Sequence, residues 1–289
     1  MAADATSPGD VAGTARSAAV LGSPVEHSLS PVLHGAAYRA LGLADWTYER
    51  IECVAERLPG LVGASPADRV GYSVTMPGKV AALEFANEVS ERARIVASAN
   101  TLVRRNGDWY ADCTDVDGVT GALAEFGDLP AEPSAVVLGV GGTARPVLAG
   151  LAAAGATRVL LASRRDNAGP ALECGRELGL EVRDVRLDDP ALPDAIGAAD
   201  VLVNTIPEPG VRELTGLVAG ARRLFDVLYD PWPTALGAVA GDAGIPVVGG
   251  DVMLLNQAFG QVELFTGLPA PRREMAAALA DALGRRSDA

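Results

Sequence analysis

A short apolar strand that runs directly into a glycine-rich turn is the feature that most constrains how this chain can fold. The strand is predicted over residues 135–138, and the turn after it reads Gly-x-Gly-x-x-Ala at the start of a helix predicted over residues 144–154. The glycines permit a tight turn, and the free N–H groups of the helix's first turn attract a pyrophosphate. The pattern favours a dinucleotide site over an unliganded tight turn, and the site consists of Gly139, Val140, Gly141, Gly142, Thr143 and Ala144.

The residues after this turn repeat a strand-then-helix order, which is typical of a parallel sheet covered by helices. Further strands are predicted at four places, namely residues 158–162, 201–204, 224–228 and 247. Helices between these strands give a doubly wound α/β fold. Two final helices, at residues 253–265 and 272–283, have no strand behind them.

The first part of the chain also alternates strands with helices, so a second α/β unit is expected there. Its predicted elements are strands at residues 18–22, 48–54, 71–75, 98–103 and 106–111 and helices at residues 30–41, 77–85 and 115–126. Asn106-Gly107 favours the tight turn of a hairpin between the last two strands. We therefore predict a substrate-binding and catalytic domain at residues 17–116, a nucleotide-binding domain at 117–249, C-terminal helices at 250–289 and a disordered tail at 1–16.

The charge and the cysteine and histidine content argue against several classes of protein. A net charge of −13 disfavours a nucleic-acid partner, and no apolar run approaches the roughly 20 residues that span a membrane. Cys53, Cys113 and Cys174 lie far apart, which favours a reducing, cytoplasmic compartment over a disulfide framework. His27 and His34 are the only histidines, which disfavours a Ser-His-Asp hydrolase and leaves too few nitrogen ligands for a typical catalytic zinc.

The residues after the second strand of the predicted nucleotide-binding domain bear on the choice of cofactor. An acid at this position holds the ribose 2′-hydroxyl of NAD, whereas this chain has Ser163, Arg164 and Arg165. Two guanidinium groups suit a 2′-phosphate, so NADP (NADPH) is favoured. Exposed arginines are also ordinary surface residues, and Asp166 keeps NAD open.

Several motifs in the first part of the chain form a series. They are Gly-Ser-Pro at residues 22–24, His-Ser-Leu-Ser-Pro at 27–31, Ser-Val-Thr-Met-Pro-Gly-Lys at 73–79, Ala-Asn-Thr-Leu-Val at 99–103, and Cys-Thr-Asp at 113–115 with Gly118. The second part adds residues 226–229 with Pro231 and Thr234, and residues 250–254 with Gln257 and Ala258. Over residues 18–267 this series resembles the shikimate dehydrogenase family.

The resemblance implies a fold and an activity. It implies two α/β lobes, a substrate domain and a Rossmann-type NADP-binding domain, with C-terminal helices that return to the first lobe and bring Gln257 into a cleft. It also implies reversible reduction of 3-dehydroshikimate to shikimate by NADPH, with lobe closure excluding water.

Reduction of a ketone requires a proton or a fixed positive charge at the oxygen, and Lys79 can supply both. Asp115 is the natural partner that keeps the ammonium protonated and oriented, and it can also accept a substrate hydroxyl. Taken alone, a lysine near a helix start is more often a solvated residue, and an Asp after Thr is more often a helix cap. The family resemblance favours the catalytic interpretation of both residues.

The remaining predicted site residues follow from polarity and from the resemblance. Polar side chains suited to a carboxylate and several hydroxyls are predicted to bind substrate alongside Lys79 and Asp115, namely Ser28, Ser30, Thr75, Asn100, Tyr229 and Gln257. In the family the two serines hold the carboxylate, and Ser30 before Pro31 is also a good helix N-cap. The resemblance extends the cofactor site to Thr205, Gly250 and Met253.

Three positions depart from the family pattern and leave alternatives open. Ser73 and Cys113 stand where many members have Asn, and Ile206 stands where Thr is expected. The alternatives are an NAD-dependent quinate/shikimate dehydrogenase and a noncatalytic dinucleotide-binding paralogue. A folate-linked dehydrogenase is disfavoured by the Ser-x-Ser segment. The oligomeric state expected for any of these is a monomer or a homodimer.

Overall fold

The computed structural model describes residues 15–165, 167–208 and 210–284. Its backbone contacts divide the chain into two compact units. The first unit contains the residues up to Thr114 together with those from Gln257 onward, and the second is Asp115–Asn256.

Strands and helices alternate along most of the described chain. The strands are β1 (Arg16–Gly22), β2 (Trp46–Glu52), β3 (Arg69–Val74), β4 (Glu88–Val89), β5 (Thr101–Arg105), β6 (Asp108–Asp112), β7 (Ser134–Leu138), β8 (Arg158–Ser163), β9 (Glu181–Arg186), β10 (Val201–Asn204), β11 (Leu224–Asp226) and β12 (Val247–Gly249). The helices are α1 (Ser30–Ala40), α2 (Leu58–Gly63), α3 (Lys79–Phe85), α4 (Glu91–Ile95), α5 (Asp115–Ala124), α6 (Ala144–Ala153), α7 (Gly169–Glu177), α8 (Leu192–Ala198), α9 (Ala235–Asp242), α10 (Gly250–Thr266) and α11 (Arg272–Ala282). Among the described residues, Ala55–Arg57 and Arg212–Gly220 form 3-10 helices.

The first unit contains a mixed six-stranded sheet with the order β2-β1-β3-β5-β6-β4. β1 pairs in parallel with β2 and β3, whereas β5 pairs antiparallel with β3 and β6. β1 is an apolar run because a strand in the middle of a parallel arrangement is covered on both faces. Leu21 of β1 pairs with Val74 of β3, so the loops that follow these two strands begin side by side.

The second unit contains a parallel six-stranded sheet with the order β12-β11-β10-β7-β8-β9. The chain runs outward from β7 to one edge and then returns to build the other half from β10. This is the predicted doubly wound fold, and the reversal between β7 and β10 is where such sheets place their ligands. The α/β class predicted from the sequence is therefore confirmed for both units.

Apolar side chains on both faces of the second sheet form two separate layers of core. One layer includes Val137, Leu148 and Phe225, and the other includes Leu138 and Leu192. Complete burial of one such side chain contributes about 1.5–3 kcal/mol. The two layers hold the sheet rigid, so the loops at its carboxyl edge have fixed starting points.

The predicted hairpin is confirmed by its turn. Asn106 and Gly107 have φ values of 51° and 91°, the pair of positive angles that a two-residue hairpin turn requires. The strand β9 was missed because four of its six residues are charged. Such a sequence shows little apolar alternation, although it is typical of a sheet edge.

Two local predictions near the N-terminus need correction. The predicted tail includes Arg16, which instead begins β1 and pairs with Trp46 of β2; residues 1–14 of that tail lie outside the described residues. Ser30 is not the N-cap of α1, because Leu29 occupies that position without a side-chain cap bond. Ser30 is the first helical residue, followed by Pro31 in the first turn.

Candidate active site

The glycine turn lies where the sequence placed it, between β7 and α6, and its glycines meet different surroundings. Gly139 has φ 94°, and a Cβ added there would lie 2.6 Å from Oγ1 of Thr205. Gly141 and Gly142 are exposed, and a Cβ at either would meet no heavy atom within 4 Å. The turn thus packs tightly at its first glycine and is open at the next two, which leaves room for a ligand against the backbone.

The rest of the turn joins the strand to the helix. Val140 packs against the core, Thr143 precedes the first residue of α6, and Ala144 is fully buried. The first turn of a helix has N–H groups without intrahelical acceptors, and they carry the positive end of the helix dipole. The predicted six residues therefore form one continuous, locally electropositive turn.

The cation-rich segment after β8 lies at the same edge of the sheet, because β8 is the neighbour of β7. Ser163 is buried and its hydroxyl donates to the carbonyl oxygen of Arg165 at 2.7 Å. Arg164 is exposed, donates to the carbonyl oxygen of Gly210, and lies 3.8 Å from a Glu213 carboxylate. Arg164 and Arg165 are thus both exposed just after β8, while Asp166 lies outside the described residues.

The loop after β10 is fixed by a buried polar cluster. Thr205 donates its hydroxyl to the carbonyl oxygen of Leu138 at 2.8 Å, which ties this loop to β7. The amide of Asn204 donates to Asp226 Oδ1 at 2.9 Å and accepts from the backbone N–H of Ile206 at 3.0 Å. Ile206 therefore helps to keep the loop in place through its backbone N–H, and its side chain packs against the core.

Asp226, at the end of β11, is the centre of that cluster. The hydroxyl of Thr234 donates to Asp226 Oδ2 at 2.6 Å, and the same hydroxyl caps α9. Burial raises the pKa of Asp226 although Thr234 and Asn204 both donate to it. Its side chain thus joins three successive loop segments at the carboxyl edge of the sheet.

Three further predicted residues lie near β11 and β12. Gly250 begins α10, and a Cβ there would lie 2.0 Å from the carbonyl oxygen of Val227, so only glycine fits. Met253 is buried on the same helix and belongs to the core. Tyr229 is half-buried in the segment after β11, and burial raises the pKa of its hydroxyl.

In the first unit, the loops after β1 and β3 interlock. The N–H of Thr75 donates to the carbonyl oxygen of Leu21 at 2.8 Å, and the N–H of Ser23 donates to that of Met76 at 3.0 Å. A Cβ at Gly22 would lie 2.3 Å from Cγ2 of Thr75, so this close approach requires glycine. Thr75 is thereby held next to the loop that carries the two predicted serines.

That serine loop is tied to β2 by a cation. Arg50 donates from Nε and Nη2 to the carbonyl oxygen of Ser28, at 2.9 and 2.6 Å. The N–H of Ser30 donates to Oγ of Ser28 at 3.3 Å. The Ser28 hydroxyl is the acceptor in this bond, so its own proton can be donated to another group. The local chemistry, a hydroxyl donor beside a guanidinium, suits an anionic group.

Asn100 is the centre of a buried amide and hydroxyl network. Its Nδ2 donates to Thr114 Oγ1 at 3.0 Å and to Gln257 Oε1 at 3.3 Å. Its Oδ1 accepts from the Thr101 hydroxyl at 2.9 Å and from the Thr114 N–H at 2.8 Å. The structure thus brings together two of the predicted substrate residues, Asn100 and Gln257, although they are far apart in the sequence.

Gln261 extends this network to His34. Nε2 of Gln261 donates to the carbonyl oxygen of Asn100 at 3.2 Å and to Thr101 Oγ1 at 3.1 Å, so Oε1 is left to accept from Nε2 of His34 at 3.3 Å. Burial lowers the pKa of His34 to about 3, against the effect of the Gln261 bond, so the imidazole is neutral at pH 7. Sequence reasoning missed Gln261, and its signal is the i, i+4 spacing from Gln257 on one helix face.

Lys79 and Asp115 each begin a helix, α3 and α5 respectively. The carbonyl oxygen of Lys79 accepts from the N–H of Ala99 at 3.0 Å, which joins the start of α3 to the residue before Asn100. Asp115 is buried and directly follows Thr114 in the chain. Both main chains are therefore attached to the Asn100 network.

The described part of the chain lacks two further kinds of feature. No helix in it combines the length and apolarity needed to cross a membrane. Nor does it contain a cluster of three His, Cys, Asp or Glu residues placed to hold a metal ion.

Comparisons with known proteins agree with this geometry. The family model for the shikimate dehydrogenase substrate binding domain matches residues 20–102, and that for the shikimate 5′-dehydrogenase C-terminal domain matches residues 252–280. A shikimate dehydrogenase (NADP(+)) from Citrifermentans bemidjiense is 36% identical over 282 residues, which cover 93% of this chain and 96% of the relative.

Solved structures are similar over the same length. The shikimate dehydrogenase of Mycobacterium tuberculosis is 52% identical with a TM-score of 0.87, over 92% of this chain and 99% of that one. A shikimate 5-dehydrogenase from Thermus thermophilus, in complex with NADP(H) and shikimate, is 31% identical with a TM-score of 0.78, over 92% and 99%. The identities, the coverage and the two matched domains confirm the predicted resemblance, and the chain belongs to the shikimate dehydrogenase family.

Proposed function

We propose that this chain reduces 3-dehydroshikimate to shikimate with NADPH, reversibly, in the route to chorismate and the aromatic amino acids. The observation that carries the proposal is the Asn100 network, in which buried amide and hydroxyl groups from three segments converge. Such a site binds a polyhydroxylated ring and rejects analogues that leave its polar groups unpaired. A relative named shikimate dehydrogenase (NADP(+)), which is 36% identical to this chain over 93% of its length, also supports the proposal.

The residues of the second unit fit a dinucleotide phosphate. Gly141 and Gly142 leave open space above the backbone, where a pyrophosphate would lie against the N-terminus of α6. Arg164 and Arg165 are exposed beside it and would hold the 2′-phosphate of NADP. Thr205 and Gly250 would border the remainder of the cofactor. Bound NADPH supplies the hydride.

The proton is assigned to Lys79. Its ammonium would donate to the substrate oxygen as negative charge develops there, and would take the proton back in the reverse reaction. Asp115 would orient the ammonium and accept a substrate hydroxyl. The attachment of both main chains to the Asn100 network supports this pairing.

The other predicted residues recognise the substrate. Ser28 and Ser30 would donate to its carboxylate, with the Arg50 guanidinium contributing positive charge nearby. Thr75, Asn100, Tyr229 and Gln257 would pair with its hydroxyls. Together these groups match one anionic and several neutral polar positions on a small ring.

The substrate-binding and catalytic role belongs, in this proposal, to residues 17–116 together with the C-terminal helices from residue 250, and the NADP-binding role to residues 117–249. The three cysteines are free and buried, which supports action in the cytoplasm. We propose a monomer or a homodimer that works without a nucleic-acid, membrane or metal partner.

Absorbance of the nicotinamide band tests the proposal, with shikimate or quinate as substrate and NADP or NAD as cofactor. The expected result is fastest turnover of shikimate with NADP. Faster turnover of quinate with NAD would assign the chain to the quinate/shikimate dehydrogenases. Tight NADPH binding without any turnover would identify a noncatalytic paralogue.

A further inference from the structure

Tyr48 contacts Ser30, a residue of the proposed substrate site, and two residues outside that site, Ser73 and His34. Its hydroxyl is hydrogen-bonded to the hydroxyl of Ser73, and the side chain of Ser30 interacts with the same phenol. Its ring stacks on the imidazole of His34, with centroids 4.0 Å apart and planes 10° from parallel. The phenol is therefore fixed both at its ring and at its oxygen.

Few movements are open to this phenol. His34, on which it stacks, is held by Gln261, and Gln261 is bonded to Asn100 and Thr101. Through His34 and Gln261, the Tyr48 ring is therefore connected to the Asn100 network, which is proposed to bind the substrate's hydroxyls. Its hydroxyl reaches in the other direction, toward Ser30.

The direction of the hydrogen bonds follows from counting protons. Each of the three hydroxyls has one proton to donate. Burial raises the pKa of Tyr48, so the phenol is neutral at physiological pH and has a proton to give. If Ser30 donates its only proton to an anion, its oxygen can act only as an acceptor toward Tyr48. The Tyr48 hydroxyl then donates to Ser30 and accepts a hydrogen bond from the Ser73 hydroxyl.

We propose that Tyr48 is a positioning residue that aims the hydroxyl of Ser30 at the substrate's carboxylate, as the middle member of a Ser73–Tyr48–Ser30 hydrogen-bond chain. The inference rests on the proposed function. Every hydroxyl in the chain donates toward the carboxylate, and the last one donates to the ligand itself. Ser73, which stands where many family members have Asn, supplies the single donor that this arrangement needs.

Steady-state kinetics of the full chain test the proposal with Tyr48→Phe, which keeps the ring on His34 and removes only the hydroxyl. The expected result is a KM for shikimate about fivefold to tenfold higher, the effect of losing one hydrogen bond. The value of kcat stays within about twofold and the KM for NADP is unchanged, because Tyr48 acts on ground-state binding of one group. Ser73→Ala raises the KM for shikimate about twofold to fivefold.

Tyr38→Phe is the matched control. Tyr38 is buried in the same aromatic group, 6.5 Å from Tyr48 between ring centroids, and its hydroxyl has no hydrogen-bond partner among the described residues. Its loss leaves the KM for shikimate unchanged. An equal rise in KM for this variant and for Tyr48→Phe would assign the effect to general packing and overturn the proposal.

A double-mutant cycle shows whether Tyr48 acts through Ser30. Ser30→Ala alone and Ser30→Ala combined with Tyr48→Phe should have the same KM for shikimate, since the second change removes a bond to a group already gone. Multiplicative effects, or an unchanged KM in Tyr48→Phe, overturn the proposal while leaving wild-type turnover intact. Absence of shikimate turnover in the wild type overturns the proposed function instead, and this inference with it.

Discussion

Replacing either of two glycines in the turn after β7 by alanine should separate the stability of the fold from the binding of the cofactor. Both changes add one methyl group to the same loop. Gly139 has a positive φ and faces Thr205, whereas Gly141 has no heavy atom within 4 Å of the added Cβ. Gly139→Ala should therefore destabilise the protein, and Gly141→Ala should interfere only with the ligand.

The magnitudes follow from these surroundings. An alanine held at φ 94° costs about 1–3 kcal/mol. The Thr205 hydroxyl, 2.6 Å from the new Cβ, must also move, which weakens its bond to Leu138 and costs about 1 kcal/mol. The sum, about 2–4 kcal/mol, lowers Tm by roughly 5–15 °C. Gly141→Ala leaves Tm within about 2 °C, because nothing is displaced.

Thermal unfolding without ligand and NADPH titration with ligand measure the two effects separately. For Gly141→Ala the Kd for NADPH should rise about tenfold or more, since the methyl group occupies the approach of the pyrophosphate to the backbone. Equal losses of Tm in both variants would refute the distinction between the glycines. An unchanged Kd in Gly141→Ala would show that the cofactor does not lie on this turn.

Three further predictions concern chemistry, cofactor choice and pH. Lys79→Ala should lower kcat about a hundredfold or more while shikimate still binds in a calorimetric titration, and near-wild-type turnover would require another proton donor. Arg164→Ala and Arg165→Ala should each raise the KM for NADP about tenfold and leave that for NAD unchanged, because only NADP carries the 2′-phosphate; equal effects on both cofactors would contradict this assignment. His34 has its pKa lowered from 6.5 to about 3, so the unfolded chain binds the extra proton and stability falls as pH decreases through this window, by about 1.4 kcal/mol per pH unit. Urea midpoints at pH 7 and pH 5 should show this loss in the wild type and a smaller one in His34→Gln.

The order of the elements could be predicted because the sequence marks it locally. The apolar strand before Gly139 and the Asn106-Gly107 pair each fix a conformation through steric rules that hold in any protein. β9 could not be found in this way, because an edge strand needs few apolar residues. The short elements β4, α2 and α4 also lack enough residues for a period to be visible.

The sequence names individual candidate residues of the site but not the hydrogen bonds between them. Asn100 and Gln257 were both expected to bind substrate, yet their hydrogen bond joins positions 157 residues apart. The Gln261 bond to His34 spans 227 residues. No local pattern encodes such pairs, since they exist only once α1, β5 and α10 have packed. The error at Ser30 is local instead, because the Ser-Pro sequence fits a cap one residue before the helix, whereas the helix begins at Ser30 itself.

The two ends of the second sheet have a consequence for behaviour at high concentration. β9 has four exposed charged residues, Arg183 and Asp184 among them, and only two partly buried valines, and β12 is only three residues long. An outer strand offers unpaired N–H and C=O groups to any extended segment of another molecule. The charges of both signs on β9 and the short length of β12 make pairing of these edge strands with another copy of the chain unfavourable. The second sheet, whose carboxyl edge carries the proposed cofactor site, is thereby protected from aggregation along its sides.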